Sequence, residues 1–199
     1  MEQVRAFIAV RLSMGVKEAL GRTLQDLRSL APGDVRWVQP GSIHLTLKFL
    51  GNIEAELIGA ISQAMSRCGT SAAPFDLALS ELGAFPNLKA PRVIWLGLEG
   101  ATDGNLDGLM NLQRGLEDEM EDLGFAKERR PFSPHLTLGR IRETLPAIQR
   151  RMIGDSLAEA PMNIRMELPV KEIALIQSIL SFTGAMYTQL FSTSLGRAS

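Results

Sequence analysis

The chain has 199 residues, of which 45% are hydrophobic and 22% are charged, a composition typical of a globular protein and not of a disordered one. Its formal net charge of -1 gives no support to a protein that coats a long nucleic acid, so any RNA contact is expected to be local. The one cysteine, Cys68, allows no disulfide within the chain, and the N-terminal residues show neither a signal peptide nor a membrane span. We therefore expect a cytoplasmic protein with no membrane partner.

Hydrophobic periodicity and turn residues predict strands and helices in alternation. In chain order, the predicted elements are a strand at 4–12, a helix at 14–30, strands at 35–38 and 43–50, a helix at 54–69, strands at 75–85 and 91–98, a helix at 103–124, a strand at 131–141, a helix at 145–153, and strands at 170–180 and 185–192. The two halves run in a similar order. We therefore expect one α+β domain spanning 1–199, with two pseudo-symmetric lobes of antiparallel sheet, helices packed outside and a central cleft.

A repeated motif carries the only two histidines of the chain. The letters HLTL occur at 44–47 and at 135–138, and His44 and His135 open the two copies. Because side chains alternate between the faces of a strand, each histidine shares a face with the threonine two residues later, which is Thr46 or Thr137. The leucines then anchor each strand in the core, and the imidazole and hydroxyl are left on the other face.

The residues after the two motifs differ. Simple alternation predicts that Lys48 lies on the same face as His44 and Thr46, where it would add positive charge. Gly139 occupies the matching position in the second copy and would leave space there.

Two imidazoles that face each other across a phosphate can perform acid-base phosphoryl transfer. Histidine serves as a base in one protonation state and as an acid in the other near neutral pH. One histidine would deprotonate water while the other protonates the departing ribose oxygen, and the threonine hydroxyls would bind the phosphate oxygens. The alternative is that each histidine only makes a structural hydrogen bond. Two copies that hold both histidines favour catalysis, and the scheme needs no metal and no cofactor.

Other chemistries find little support. The segment DGNLDG at 103–108 resembles the first half of a calcium loop, but its twelfth position is Arg114 where calcium needs a glutamate, so a turn and helix start is the better interpretation. The sequence has no phosphate-binding GxxxxGK[ST] loop, no GxSxG elbow and no CxxC pair. A metal held by the histidines and carboxylates is the less favoured alternative.

The sequence resembles the two-histidine phosphoesterase superfamily, and within it the LigT-like RNA 2',3'-cyclic phosphodiesterases, some of which are called 2'-5' RNA ligases. The resemblance covers nearly the whole chain, through RAFIAV, VRWVQPGSIHLTLKFLGNI, LGAFPNLKAPRVIWLGL, RPFSPHLTLGRIR and QSILSFTGAMYTQL. It implies a bilobal α+β fold with His44 as proton donor and His135 as proton acceptor. It also implies that Thr46, Thr137 and Arg140 bind the phosphate.

Arg140 presents a geometric difficulty, because strict alternation from His135 puts it on the opposite face. A bulge near Gly139 would bring it into the cleft, and the alternative is a surface charge at the strand end. Phe7 and Phe132 are candidates for stacking on a base, with core packing as the alternative. Arg130, in the basic segment KERRPF, is a candidate for RNA backbone contact, with a solvated loop as the alternative. Tyr187 and Trp37 are further candidates for the cleft lining.

The resemblance implies metal-independent hydrolysis of an RNA terminal 2',3'-cyclic phosphate to a 2'-phosphomonoester. The reverse reaction would join RNA ends through a 2'-5' linkage. The expected partners are single-stranded RNA ends or cyclic nucleotides, contacted locally by a monomer. Two alternatives remain open at this point: a nucleotide-binding module without catalysis, and an esterase for a small cyclic phosphate such as an ADP-ribose derivative.

Overall fold

The fold is known from a computed structural model that describes residues 2–30, 34–160, 166–181 and 184–196. Within these ranges the chain forms four α-helices, which are α1 (Met14–Leu30), α2 (Ile58–Ser71), α3 (Asn105–Asp122) and α4 (Ala147–Ala158). It also forms nine strands, which are β1 (Gln3–Arg11), β2 (Val35–Trp37), β3 (His44–Glu54), β4 (Phe75–Phe85), β5 (Val93–Gly100), β6 (His135–Ile141), β7 (Glu167–Val170), β8 (Glu172–Ser181) and β9 (Gly184–Ser194).

The nine strands form one sheet, and its main path has two halves of four strands each. The order is β7-β4-β5-β6-β3-β1-β8-β9, with β2 paired to β6, and the strand pairs of the described residues are antiparallel. The halves β7-β4-β5-β6 and β3-β1-β8-β9 meet at the centre, where Leu45 of β3 pairs with Leu136 of β6. Because these leucines occupy equivalent places in the two motifs, a rough two-fold axis passes through their pair.

The helices cover one face of this sheet. Helix α1 turns an apolar stripe toward the sheet, formed by Val16, Leu20, Leu24 and Leu27, as expected for an amphipathic helix. Helix α2 contacts β8 and β9, and α3 contacts β3, β4 and β5. A single buried cluster joins residues of both halves, including Leu45, Leu96 and Leu136, none of which is measurably exposed. On the other face lies a smaller buried cluster of Phe7, Ala9, Ala174 and Ile176.

The predicted α+β architecture, with antiparallel strands and helices outside, is confirmed. The strand β4 has the predicted bounds, and α1 begins and ends at the predicted residues. The short strand β7 was not predicted, because four residues give too little periodicity, and α4 extends to Ala158, beyond its predicted end at 153. Within the described ranges, no helix is both long enough and apolar enough to cross a bilayer.

Candidate active site

The two HLTL motifs lie side by side at the centre of the sheet. The pairing of Leu45 with Leu136 puts both leucines in the main core, where neither is measurably exposed. Their neighbours in each strand therefore point to the opposite face. Continuing the antiparallel register by one residue in each direction sets His44 opposite Thr137 and Thr46 opposite His135. The two histidines are then diagonal neighbours, about 7–8 Å apart at their backbones. We call the open face that carries these four side chains the cleft.

Each imidazole is oriented by a carbonyl two residues earlier. His44 Nδ1 lies 2.8 Å from the Ser42 carbonyl oxygen, and His135 Nδ1 lies 2.7 Å from that of Ser133. Because a carbonyl oxygen can only accept a hydrogen bond, Nδ1 carries the proton in both rings, and Nε2 is left to exchange protons with a ligand. Serine stands two residues before each histidine in the sequence, so the repeat is SxHLTL, a longer signal than HLTL.

Aromatic rings support both histidines, but differently. In the first half, the His44 ring stacks on Phe7 with centroids 4.6 Å apart, and Tyr187 meets His44 edge-on at 5.1 Å. In the second half, Phe85 meets His135 edge-on at 5.0 Å, and the Trp95 ring is tilted toward it at 6.3 Å. Such pairs stabilise one ring orientation, so the aromatic residues help to hold the imidazoles in place.

The two candidates for base stacking, Phe7 and Phe132, have other surroundings. Phe7 is only 4% exposed and its ring stacks on His44, which agrees with the alternative of packing within the protein. Phe132 is half-buried and packs against the main core, which agrees with the alternative of core packing. Tyr187, by contrast, lies in the cleft next to His44 and is 38% exposed, whereas Trp37 packs against the main core.

Sequence reasoning missed Phe85 and Trp95 as neighbours of His135. The Trp95 ring lies over Gly83 of the adjacent strand, where a Cβ atom would come within 2.3 Å of the indole. Gly83 is therefore required for this ring position. The sequence does contain a tryptophan on β5 and a glycine on β4, but only the register of the folded sheet shows that Trp95 lies opposite Gly83.

Burial lowers the pKa of His44 below its ordinary value of 6.5. The hydrogen bond to Ser42 opposes this shift, and the positive charge of Lys17 adds to it. The neutral imidazole is consequently favoured in the ligand-free protein. Tyr187 also has a shifted pKa, which burial raises while the charges of Arg140 and Arg5 act in the opposite direction.

The prediction that Lys48 faces the cleft is wrong. A β-bulge shifts the register of β3 against β1, so that Thr46 pairs with Ala9 but Lys48 pairs with Ile8, whose side chain is fully buried. Lys48 is only 4% exposed and lies on the helix side of the sheet, where its Nζ forms an ion pair with Glu117 of α3. It also donates a hydrogen bond to the Ala126 carbonyl oxygen at 2.7 Å. The extra residue of the bulge reverses the alternation.

An equivalent bulge lies in β6 and resolves the difficulty of Arg140. Thr137 pairs with Trp95 but Gly139 pairs with Ile94, so one residue is again extra, and Arg140 comes to the same side as His135. Arg140 is exposed, and its charge reaches Tyr187. A Cβ atom at Gly139 would lie 2.7 Å from Val35 Cγ1, so glycine lets β2 pack closely there. The phosphate contact of Arg140 stays a prediction.

The basic segment before His135 contributes less positive charge to the cleft than its sequence suggests. Lys127 forms ion pairs with Asp118 and Glu121 of α3, at 2.7 and 3.0 Å. Arg130 is exposed, and its backbone N–H donates to the Glu128 carboxylate. The contact of Arg130 with RNA therefore stays a prediction. Lys127 of the same segment is already paired with carboxylates.

The calcium-like segment forms the start of a helix, as its better interpretation predicted. Gly104 has the positive φ of 85° that favours glycine, and α3 begins at Asn105. Among the residues that the structure describes, histidine, cysteine and carboxylate side chains nowhere converge in groups of three or more that would hold a metal ion.

Comparison with known proteins gives consistent matches over most of the chain. The family model described as LigT like Phosphoesterase matches residues 10–95 and 101–187, and each segment contains one HLTL motif. Two proteins named RNA 2',3'-cyclic phosphodiesterase, from Methanothermobacter thermautotrophicus and Aquifex aeolicus, are both 32% identical to this chain. The matches cover 94% and 98% of this chain and 97% and 100% of the relatives. A crystal structure of E. coli LigT complexed with 3'-AMP superposes with a TM-score of 0.76 at 28% identity, over 98% of this chain and 100% of that one.

Proposed function

This chain belongs to the LigT-like phosphoesterase family, and from that premise we propose that it hydrolyses RNA terminal 2',3'-cyclic phosphates to 2'-phosphomonoesters. The observation that carries the proposal is the pairing of Leu45 with Leu136, which sets His44 and His135 on adjacent strands, each with its Nδ1 bonded to a carbonyl and its Nε2 left for a ligand. The names of its full-length relatives support the same reaction.

The proposed reaction is an in-line displacement at phosphorus. His135 Nε2 accepts a proton from water as the water oxygen attacks, and the bond from phosphorus to the 3' oxygen breaks. His44 Nε2 donates its proton to that leaving oxygen, so the two rings exchange protonation states. The hydroxyls of Thr46 and Thr137, each opposite a histidine, donate hydrogen bonds to the non-bridging oxygens, and Arg140 adds positive charge. Exchange of protons with solvent then restores the starting state.

The assignment of His44 as the acid requires that it be protonated when substrate is bound. Its pKa is lowered by burial in the ligand-free protein, which favours the neutral ring. An anionic phosphate next to Nε2 stabilises the charged imidazolium and raises the pKa again. Substrate binding and protonation of His44 are therefore coupled, so the acid is formed where it is used.

The reverse reaction, in which a 5' hydroxyl replaces water, would form a 2'-5' linkage at the same site. Hydrolysis is favoured because water is the abundant nucleophile. The non-catalytic nucleotide-binding module and the esterase for a small cyclic phosphate are the competing functions, and the intact histidines of both motifs argue against the first of them.

The expected partners are single-stranded RNA ends or cyclic nucleotides, contacted locally by a monomer. The residues 1–199 are proposed to act as one two-lobed phosphoesterase domain, which the shared core of the two halves supports. The one cysteine, half-buried in the structure and unable to form a disulfide within the chain, supports a reducing compartment such as the cytoplasm.

A substrate panel in excess EDTA tests the proposal. It contains an oligonucleotide with a 2',3'-cyclic end, nucleoside 2',3'-cyclic phosphates and cyclic ADP-ribose phosphate, and the products are identified by phosphorus NMR. We expect turnover of the cyclic-ended RNA to a 2'-phosphomonoester, undiminished by the chelator. A stripped sample that loses turnover and regains it with a divalent ion would contradict the metal-independent scheme. Turnover of the ADP-ribose derivative alone, or of nothing, would support one of the competing functions.

A further inference from the structure

A small pocket lies beside His44, on the side of the cleft that belongs to the first half. Its volume is about 140 Å³, and it forms where β1 ends, α1 begins and β9 passes. The side chains that matter in it are Arg11, Lys17, His44, Tyr187 and Gln189. The lining includes no carboxylate, and neither of the two cations forms an ion pair within the described ranges.

The pocket has a positive potential that nothing in its lining neutralises. Burial lowers the pKa of Lys17, and the charge of Arg11 lowers it further. The charge of Lys17 in turn reaches the His44 ring. Two cations held together without a counter-charge repel each other, and an anion between them would remove that repulsion. The Arg11 guanidinium donates to the Gln189 side-chain oxygen, which orients it and leaves its other N–H groups for a ligand.

The position equivalent to Arg11 in the second half carries no side chain. Arg11 pairs with His44 in the register of β1 and β3, and the residue in the equivalent place beside His135 is Gly97. A Cβ atom at Gly97 would lie 2.6 Å from Ser80 Oγ and 3.3 Å from the Trp95 ring, so a longer side chain has no room there. The cleft is therefore symmetric in its histidines and threonines, but these paired cations lie on one side only.

We propose that this pocket binds a second phosphate of the substrate, the one attached to the 5' oxygen of the terminal nucleotide. The proposal rests on the proposed function, in which His44 protonates the leaving ribose oxygen and so lies on the ribose side of the cyclic phosphate. The 5' phosphate is the next anionic group on that ribose. A guanidinium and an ammonium suit its oxygens, and the Tyr187 hydroxyl and Gln189 amide can add hydrogen bonds.

Paired substrates test the pocket directly. Adenosine 2',3'-cyclic phosphate is compared with the same nucleotide carrying a 5' phosphate, and with a dinucleotide in which that phosphate is a diester. We expect KM to be about 10-fold lower for both substrates with the second phosphate, the scale of one or two charge-assisted hydrogen bonds at a half-exposed site. The KM ratio is expected to fall toward one in Arg11→Gln and in Lys17→Gln. Arg28→Gln, which removes one positive charge from the exposed last turn of α1, is expected to keep the wild-type ratio.

A binding measurement separates this proposal from the proposed function. Calorimetry with adenosine 2',5'-bisphosphate and adenosine 2'-monophosphate requires no turnover, and the bisphosphate is expected to bind about 10-fold more tightly to the wild type. If no cyclic substrate is hydrolysed but this preference exists and is lost in the Arg11 and Lys17 variants, the pocket stands and the proposed function fails. If turnover occurs with equal KM values, or both variants keep the preference, the pocket proposal is overturned. If only the 5'-phosphorylated mononucleotide has the lower KM, the pocket binds a terminal phosphate monoester. If the dinucleotide has the lower KM as well, the pocket also accepts the phosphodiester of an RNA chain.

Discussion

Strands β3 and β6 begin with the same four residues and have the same sequence of half-buried, buried and exposed positions over their first seven residues. Both contain a bulge after the threonine. They differ beyond the bulge, where Lys48 and Phe49 in the first strand correspond to Gly139 and Arg140 in the second. Both halves therefore present a histidine and a threonine to the cleft, but they hold these residues in place through different contacts.

The first half is stabilised by a buried charge, and the second by close packing. Glu117 accepts hydrogen bonds from Lys48, from Gln113 and from the backbone N–H of Glu128, in the segment that leads toward His135. Lys48 thus connects the first motif to the chain that precedes the second. In the second half, the absence of a side chain at Gly139 lets Val35 and Trp37 of β2 pack closely against β6. Substitutions in matched positions can separate the shared chemistry from these different supports.

The largest expected effect comes from the shared residues. His44→Ala and His135→Ala are each expected to lower kcat by about 100-fold or more, because each removes a positioned acid or base. Folding is expected to change little, since both rings face the cleft, and circular dichroism checks this. A variant that keeps near-normal turnover would exclude its histidine from the mechanism.

The pH profile of the same variants distinguishes the two roles. Only the state with His44 protonated and His135 neutral is productive, so wild-type turnover should rise and fall with pH. Loss of His44 should remove the alkaline limb of the residual activity, and loss of His135 the acidic limb. A flat wild-type profile, or a bell that neither substitution alters, would assign the proton transfers to other groups.

The buried ion pair of the first half and the close packing of the second should lose different amounts of stability on substitution. Lys48→Met leaves the Glu117 carboxylate buried without its cation and is expected to lower the free energy of unfolding by about 3–5 kcal/mol. Gly139→Ala forces a Cβ atom against Val35 and is expected to cost about 1–3 kcal/mol. Denaturant unfolding measures both. Phe49→Ala is the matched control, because Phe49 is 67% exposed and its loss should change stability by less than about 1 kcal/mol.

Two outcomes would contradict this difference. If Lys48→Met unfolds at the same denaturant concentration as Phe49→Ala, the buried pair does not stabilise the first half. If Lys48→Met/Glu117→Gln is no more stable than Lys48→Met, the cost does not arise from an unpaired carboxylate.

The threonines should have a smaller and symmetric effect on activity. Thr46→Val and Thr137→Val each remove one hydrogen bond to a phosphate oxygen and are expected to reduce kcat/KM by about 10-fold. Steady-state kinetics on a cyclic-ended RNA measures this. Thr46→Ser and Thr137→Ser keep the hydroxyl and serve as controls. Unequal losses would indicate that the phosphate lies closer to one motif.

The smallest expected effect is on the pH dependence of stability. Burial and Lys17 lower the pKa of His44 below 6.5, so between the folded and unfolded pKa values the unfolded chain binds more protons. The resulting stabilisation is present above about pH 6.5 and is lost as the pH falls through the lowered pKa. His44→Gln should therefore lose less stability than the wild type between about pH 7 and about pH 5. Denaturant unfolding at several pH values checks this, with Thr46→Val as control. Equal slopes for wild type and His44→Gln would contradict the shift.

The α+β class and the pairing of His44 with Thr46 and of His135 with Thr137 on one face were predictable, because they depend on local periodicity. Periodicity also predicted α1 and β4 with their observed bounds. It failed for Lys48, because a bulge inserts one residue and reverses the side chains that follow it up to the next register shift, and no sequence pattern after HLTL marked it. The equivalent bulge in β6 determines the position of Arg140, for which the sequence left two alternatives open, one of them a bulge near Gly139.

The sequence by itself determined the repeated motif, the amphipathic elements and the family, since these are properties of residue type and spacing. The tertiary structure alone decided which residues meet. It set Phe7 beneath His44, and Phe85 and Trp95 beside His135. It also brought Arg11 and Lys17, from a strand end and a helix, into one pocket with Tyr187. The physical reason is that strand register and the packing of helices on a sheet are collective: each contact depends on pairings between segments far apart in the chain, and none of these is encoded by a residue and its near neighbours alone.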